Sequence, residues 1–271
     1  MLAVMAAVVP AACGQEAPGD PVMRTEIGSG KADARAAPPP APARGAASAC
    51  RKVMFEGAAL THCVADPRKH RIETDLGPGE GEPYRSLAGL AAARPADAAP
   101  VAFAVNAGMF DEQGQPVGYY VENGDRLVEL NRNEGSGNFH LEPNGVFYGT
   151  GASWHIRTSD DFYATVGDRP RFGTQSGPML VIAGKLHPEI AENGPSRTRR
   201  NGVGVDRKGR AHFVISEGPV SFGVLARYFR DEVGAPNALY LDGTVSSLWD
   251  SAGDRLDVRA PLGPLIVVTE R

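Results

Sequence analysis

Four segments of the chain share one design, an apolar run leading into a turn where glycine stands beside polar side chains. They are Val105-Asn106-Ala107-Gly108-Met109-Phe110-Asp111, Gln175-Ser176-Gly177-Pro178-Met179-Leu180, Arg199-Arg200-Asn201-Gly202-Val203-Gly204 and Tyr240-Leu241-Asp242-Gly243-Thr244-Val245-Ser246-Ser247. A fifth, Ile215-Ser216-Glu217-Gly218-Pro219-Val220, has the same form. Polar groups at strand ends next to glycine suit a cleft in which backbone approaches a ligand closely. Taken singly, each segment is equally an ordinary glycine turn, because Asn, Asp and Ser favour turns for local reasons. Taken together they offer carboxylates, a guanidinium, amides and hydroxyls, the groups that bind and act on a polar ligand.

Other chemistries lack their signatures. There is no His-x-x-x-His, no Cys pair at ligand spacing and no Asp-rich calcium loop, so no metal site or cofactor is expected, although a metal held by scattered carboxylates stays open. No Gly-x-Ser-x-Gly elbow, Walker loop or dinucleotide fingerprint occurs. The 28 Lys+Arg and 32 Asp+Glu give a formal charge of -4 without any run of five like charges, which argues against a nucleic-acid partner. With 33 Gly and 22 Pro among 271 residues, a protein of long helices is excluded; at 42% hydrophobic residues, so is global disorder.

The elements that must position these turns are short strands. Candidates are residues 53–55, 61–65, 71–75, 101–106, 117–122, 126–127, 145–148, 154–157, 179–182, 203–205, 211–216, 238–241 and 265–269, several of them continuous apolar runs of the kind buried on both faces. Two helices are expected: Ser86 to Ala93, opened by a capping Ser, and Phe222 to Val233, with Ser221 as N-cap and Gly234 as C-cap. The second lies between two apolar strands, which predicts a parallel crossover if both share a sheet. The fold class expected is α+β, a mixed and mostly buried sheet flanked by a few helices, in a single large domain spanning residues 50–271.

Before that domain, residues 1–13 read as a signal peptide: Leu2 to Ala12 is apolar, too short to span a bilayer, and ends in small residues before Cys13. The Ala-Ala-Cys-Gly sequence resembles a lipoprotein box, so lipidation of Cys13 and an exported, periplasmic or envelope location in a bacterium are expected, with the membrane touched through that anchor at most. Pro10 stands where Leu is usual, and no Lys or Arg precedes the apolar run. Residues 14–49, rich in Pro, Ala, Gly and Ser, cannot build a core and read as a disordered tether. Cys50 and Cys63 flank two short strands; a disulfide there would close a hairpin and add on the order of 3 kcal/mol in an oxidising compartment, with two buried thiols as the other reading.

The five turns, in this order and with this intervening helix, resemble the phosphodiester glycosidase (uncovering-enzyme-like) family. Its pattern of an Asn-Gly-Gly-Phe-Phe-like turn, Gly-Gly-Pro-Leu, Arg-Thr-Ala-Ile-Gly, Asp-Gly and Leu-Asp-Gly-Gly-Gly-Ser is similar to Asn106 to Phe110, Ser176 to Leu180, Arg200 to Gly204, Glu217-Gly218 and Leu241 to Ser246. Gly137-Asn138-Phe139-His140, Pro143-Asn144-Gly145-Val146-Phe147 and Ser216-Glu217-Gly218-Pro219 bring it nearer to an uncharacterised bacterial branch. The chain departs from the pattern at Ala107, Asn201, Glu217 and Thr244-Val245. Thr and Val avoid positive φ, so the last turn must differ in geometry or in how substrate approaches it.

The resemblance implies a hydrolase that cleaves a sugar from a glycosyl-1-phosphate linkage, a carbohydrate phosphodiester. Such a site needs a cation for the phosphate, a carboxylate near the anomeric carbon and donors for sugar hydroxyls. Asp242 and Glu217 are the expected catalytic carboxylates, and Arg200 the expected phosphate ligand, since a guanidinium pairs two phosphate oxygens at once. Asn106, Asn201, Ser176, Gly177, Gly243 and Ser246 are expected to bind substrate; His140 would shuttle a proton or bind phosphate, or else serve structure. The alternatives are an envelope lipoprotein that binds glycan without turnover and an ordinary glycosidase acting on phosphate-free linkages.

Overall fold

The computed structural model describes residues 47–79, 82–167 and 169–271. The expected signal peptide, Cys13 and the tether as far as residue 46 lie outside the described residues. Ser48, expected within the tether, is bonded into the fold, its Oγ donating to Asp250 Oδ2 at 2.6 Å.

In chain order the first strands are β1 (Cys50–Phe55), β2 (Ala58–Ala65), β3 (His70–Asp75), β4 (Val101–Asn106), β5 (Tyr120–Glu122), β6 (Asp125–Val128), β7 (Gly145–Thr150), β8 (Ser153–Thr158) and β9 (Phe172–Ser176). They continue as β10 (Met179–Ile182), β11 (Lys185–Leu186), β12 (Asn201–Val205), β13 (Ala211–Ser216), β14 (Asn237–Tyr240), β15 (Leu248–Asp250), β16 (Arg255–Leu256) and β17 (Leu265–Glu270). The helices are α1 (Leu87–Ala93), α2 (Ser159–Thr165) and α3 (Phe222–Arg227).

These strands form three sheets, ordered β1-β2-β13-β12-β14-β10-β11, β16-β15-β4-β17-β3 and β6-β5-β9-β7-β8. The class is α+β, as expected. The crossover strands β13 and β14 do share a sheet and run parallel, but β12 is inserted between them and pairs antiparallel with each. The sheets meet on a shared aromatic core: the ring of Phe213 in the first lies 5.4 Å from Phe103 in the second and 5.8 Å from Phe147 in the third. β4 is buried along its whole length, which is why it reads as an unbroken apolar run.

The other face of the first sheet is covered by α3. Ser221 caps it, its Oγ accepting from Val224 N at 3.3 Å. The helix runs as α only to Arg227 and widens to a π turn over Tyr228–Val233 before Gly234 ends it in the left-handed region at φ 67°. Two glycines of β12 allow this segment to lie close on the sheet: a Cβ on Gly204 would come within 2.7 Å of the Phe229 ring. At the opposite edge of the sheet, Cys50 and Cys63 face each other across the β1–β2 hairpin and are joined by a disulfide.

Candidate active site

The ends of β4, β12 and β14 meet through one buried amide. Asn106 Oδ1 accepts from Asn201 Nδ2 (2.9 Å) and from the backbone N–H of Ser247 (3.0 Å), while its Nδ2 donates to the carbonyl of Asp242 (2.8 Å). Asp242 N donates to Ala107 O and Leu241 N to Asn201 O, both at 3.2 Å. Three of the five turns are thereby locked together. Asn106 and Asn201 are each only 1% exposed, so they hold the Asp242 turn in place more than they face solvent.

Asp242 starts a short 3-10 turn over Gly243–Val245, its carboxylate accepting from Thr244 N at 3.2 Å. Ser246 closes the turn, its Oγ donating to Gly243 O at 2.7 Å. A 3-10 turn keeps negative φ, and neither Thr244 nor Val245 is among the described residues at positive φ, so the stiff pair fits here where the family pattern has glycines. The Asp242 residue is half-buried. That burial raises its proton affinity above the ordinary aspartate value, and the hydrogen bonds from Thr244 offset only part of the rise.

Glycine is required where β9 joins this centre. A Cβ on Gly108 would strike the carbonyl oxygen of Gln175, and one on Gly177 would come within 2.7 Å of Phe139 O. Ser176 is fully buried and its Oγ has no hydrogen-bond partner; Asn201 Oδ1 is likewise buried and unpartnered. Unpaired buried polar atoms are costly, and a pair of them at converging strand ends marks a place for ligand groups or water. The short turn Asn138–His140 packs over Gly177 through the Asn138 and Phe139 carbonyls, and His140 Nδ1 is bonded to Asn133 O at 2.9 Å.

Glu217, just past β13, sits in a second cluster that joins the first sheet to the second. Its Oε1 accepts from Thr61 Oγ1 (2.6 Å) and from Arg255 Nη1 (2.5 Å), while Arg255 Nη2 donates to Asp257 Oδ2 (2.8 Å). Arg199 Nη2 donates to the Glu217 carbonyl at 2.6 Å. Burial works against ionisation of Glu217, but the hydrogen bonds from Thr61 and Arg255 and the charges of Arg255 and Arg199 outweigh it and hold the carboxyl below its ordinary value. Thr61, Glu217, Arg255 and Asp257 border a cleft of about 460 Å³ between the β1–β2 hairpin, the end of β13 and the β15–β16 hairpin. Leu248, which lines the cleft, directly follows Ser247, whose N–H binds Asn106.

β13 and β14 end at the same sheet edge with β12 between them, so the backbones of Glu217 and Asp242 lie about two strand spacings, ~10 Å, apart. Arg200 falls on the opposite face from Asn201. It is 1% exposed, its guanidinium 3.5 Å from the Phe222 ring centroid, donating from Nε to Val220 O (3.0 Å), from Nη2 to Ser196 Oγ (3.1 Å) and from Nη1 to the Tyr240 hydroxyl (3.4 Å). The phosphate-facing position expected of Arg200 is therefore replaced by one behind the site. The Tyr240 hydroxyl also packs on Gly243, and Arg200 holds the Asp242 turn through it. Thr61, Arg255 and Asp257 carry no local signal in the sequence, and Arg199 and Tyr240, though inside two of the glycine turns, have nothing there to set them apart from their neighbours. Among the described residues no group of three or more His, Cys, Asp or Glu side chains is arranged to hold a metal ion, and no helix is long and apolar enough to cross a membrane.

A family model described as phosphodiester glycosidase matches residues 99–267, a span that contains all five turns. The uncharacterized protein YigE of Escherichia coli (strain K12) is 34% identical over 208 residues, which is 77% of this chain and 81% of YigE. Among solved structures, the catalytic domain of zebrafish N-acetylglucosamine-1-phosphodiester alpha-N-acetylglucosaminidase, auto-inhibited by its pro-peptide, is similar with a TM-score of 0.56. At 15% identity, over 85% of this chain and 87% of that one, the likeness is one of fold.

Proposed function

Because the chain belongs to the phosphodiester glycosidase family, we propose that it is an exported hydrolase that releases a sugar from a glycosyl-1-phosphate linkage. The observation that carries this reading is a pair of carboxylates at one sheet edge in opposite environments, Asp242 with raised proton affinity and Glu217 held ionised. Environments that push two acids apart divide the acid–base roles between them. Asp242 takes the proton of the attacking water as its oxygen bonds to the anomeric carbon. The bond from that carbon to the phosphate oxygen breaks, its electron pair leaves with the phosphate, and the products are the free sugar and a phosphomonoester. This leaving group needs little acid assistance, since the second ionisation of a phosphomonoester lies near pH ~6. Glu217 supplies fixed negative charge near the oxocarbenium-like transition state. Asn106, Asn201 and Arg200 keep Asp242 in place. The apolar leader ending at Cys13 and the Cys50–Cys63 disulfide support export to an oxidising compartment, with Cys13 as a lipid anchor.

The test is sugar release by the purified protein from a panel of sugar phosphodiesters and phosphate-free oligosaccharides. Release from the phosphodiesters alone is expected, falling by ~100-fold or more in Asp242→Asn. Undiminished release in that variant overturns the assignment. The departure from the family pattern at Thr244-Val245, directly after Asp242 and Gly243, favours a second reading, a glycan-binding envelope protein without turnover; tight glycan binding with no release from any substrate would establish it.

A further inference from the structure

Arg199, two residues before β12 begins at Asn201, lies on the side where Glu217 and Thr61 meet the second sheet. Arg199 is the cation at this edge whose hydrogen bonding is incomplete. Its Nη2 is committed to the Glu217 carbonyl, but its Nη1 is buried with no hydrogen-bond partner and stands 3.8 Å from Glu217 Oε2. The side chain as a whole is 21% exposed and is paired with Glu217, which lines the cleft.

Arg51, Lys52, Arg255 and Arg259 all line the cleft, with Arg51 and Lys52 on its β1 side, away from the end of β13. Arg255 is neutralised by Glu217 and Asp257. Asp250 is engaged by Ser48 Oγ and the Gly253 N–H, and Asp254 is exposed in the β15–β16 turn. Arg259, on the cleft wall, makes no ion pair among the described residues and lies near enough to Arg199 to repel it. Arg199 and Arg259 thus carry like charge near each other, Arg199 with a buried unfilled donor and Arg259 on the wall of a cleft of about 460 Å³. Like charges held in this way are relieved by a shared anion, and a phosphoryl group offers several acceptor oxygens.

We infer that Arg199 and Arg259 form the anion subsite of this protein, taking a phosphoryl group on the aglycone side of the substrate. The inference rests on the phosphodiester reading above and adds a direction to it. Asn201 Oδ1 and Ser176 Oγ, the unpartnered polar atoms at the strand ends, are left for sugar hydroxyls. Arg199 lies about 7 Å from Asn201 along an extended backbone, a span comparable to one sugar ring and its phosphate. The sugar occupies the Asp242 side, and the aglycone leaves through the cleft between the β1–β2 and β15–β16 hairpins.

The experiment is equilibrium binding of two probes, methyl phosphate and dimethyl phosphate, to the full chain by calorimetry at low salt. Arg199→Gln and Arg259→Gln are each expected to weaken binding about tenfold. Arg132→Gln, in a separate cavity, is expected to leave it unchanged. Preference for dimethyl phosphate identifies the bound group as the diester of the substrate; preference for methyl phosphate identifies it as a terminal phosphate or the product. Failure of the wild-type chain to bind either probe overturns the subsite, as does undiminished binding in Arg259→Gln, an exposed side chain whose loss leaves the fold intact. Probe binding without sugar release would sink the hydrolase reading and leave the anion subsite standing.

Discussion

Acidification from about pH 7.5 to about pH 5 is expected to cost the folded chain about 2 kcal/mol through His62 alone. His62 and His212 sit side by side on β2 and β13, each 4% exposed, in a line that runs from Tyr228 to Asp206. Tyr228 Oη lies 2.9 Å from His62 Nδ1, His62 Nε2 lies 2.8 Å from His212 Nδ1, and His212 Nε2 lies 3.1 Å from Asp206 Oδ2. Ionised Asp206 can only accept, so His212 donates to it from Nε2 and accepts at Nδ1; His62 then donates from Nε2 and accepts from the tyrosine hydroxyl. Every position is filled with both rings neutral; a proton added to His212 sets two donors against each other, and one added to His62 forces the Tyr228 hydroxyl to turn and accept. Burial, then the proximity of His212, Arg51 and Arg210, lowers His62 from 6.5 to about 3. Below 6.5 the unfolded chain therefore binds a proton that the folded chain refuses, so stability is complete above that value and falls as the pH drops toward 3. At about pH 5 the difference amounts to about 1.5 proton-affinity decades, or about 2 kcal/mol. Urea unfolding followed by tryptophan fluorescence at both pH values, in wild type and in His62→Gln, isolates the effect because other titrating groups are common to both. An equal loss of stability in the two proteins, or a folded-state His62 that titrates near its ordinary value by NMR, would refute the reasoning.

Asn106→Ala strands Asn201 Nδ2, the Ser247 N–H and the Asp242 carbonyl, and is expected to lower unfolding free energy by about 3 kcal/mol while also depressing turnover. Denaturation of the variant beside a sugar-release assay checks both. Replacing Cys50 and Cys63 together by Ser removes the closure of the β1–β2 hairpin and is expected to cost about 3 kcal/mol under oxidising conditions. Adding reductant to wild type should reproduce most of that loss, whereas the double variant should be insensitive to it.

Much of the fold is legible wherever burial on both sides writes an unbroken apolar run. β4, β10 and β13 begin and end where the hydrophobic pattern places them, and Ser86, Ser221 and Gly234 mark helix ends by local hydrogen bonding. β9 is hidden because Phe172-Gly173-Thr174-Gln175-Ser176 carries polar groups that are paid for only by distant partners: Gln175 is fixed by contacts with Tyr119, Asn131 and Ser159. The same limit applies to the candidate site. The turns holding Asn106, Asn201 and Asp242 are visible one by one, and their convergence depends on three separate strands. The bond of Glu217 to Thr61 and Arg255 joins residues 156 and 38 positions away in sequence. Which of two adjacent arginines faces the cleft is set by the sheet packing; period-two alternation says only that Arg199 and Arg200 face opposite ways.

That alternation gives the turn between β12 and β13 an influence out of proportion to its distance from the cleft. Asp206 Oδ1 accepts from Lys208 N and Arg210 N, both at 2.9 Å, and Gly209 takes φ 77°, a clasp that fixes Val205 opposite Ala211 and every later pair up to Asn201 opposite Ile215. Sliding β12 by one residue would exchange its two faces. The two arginines would trade places, and an amide that now supports Asp242 would be buried under Phe229. Tolerance of insertions here should be poor even though the turn touches no substrate, and lineages that vary its length should preserve parity, gaining or losing residues two at a time.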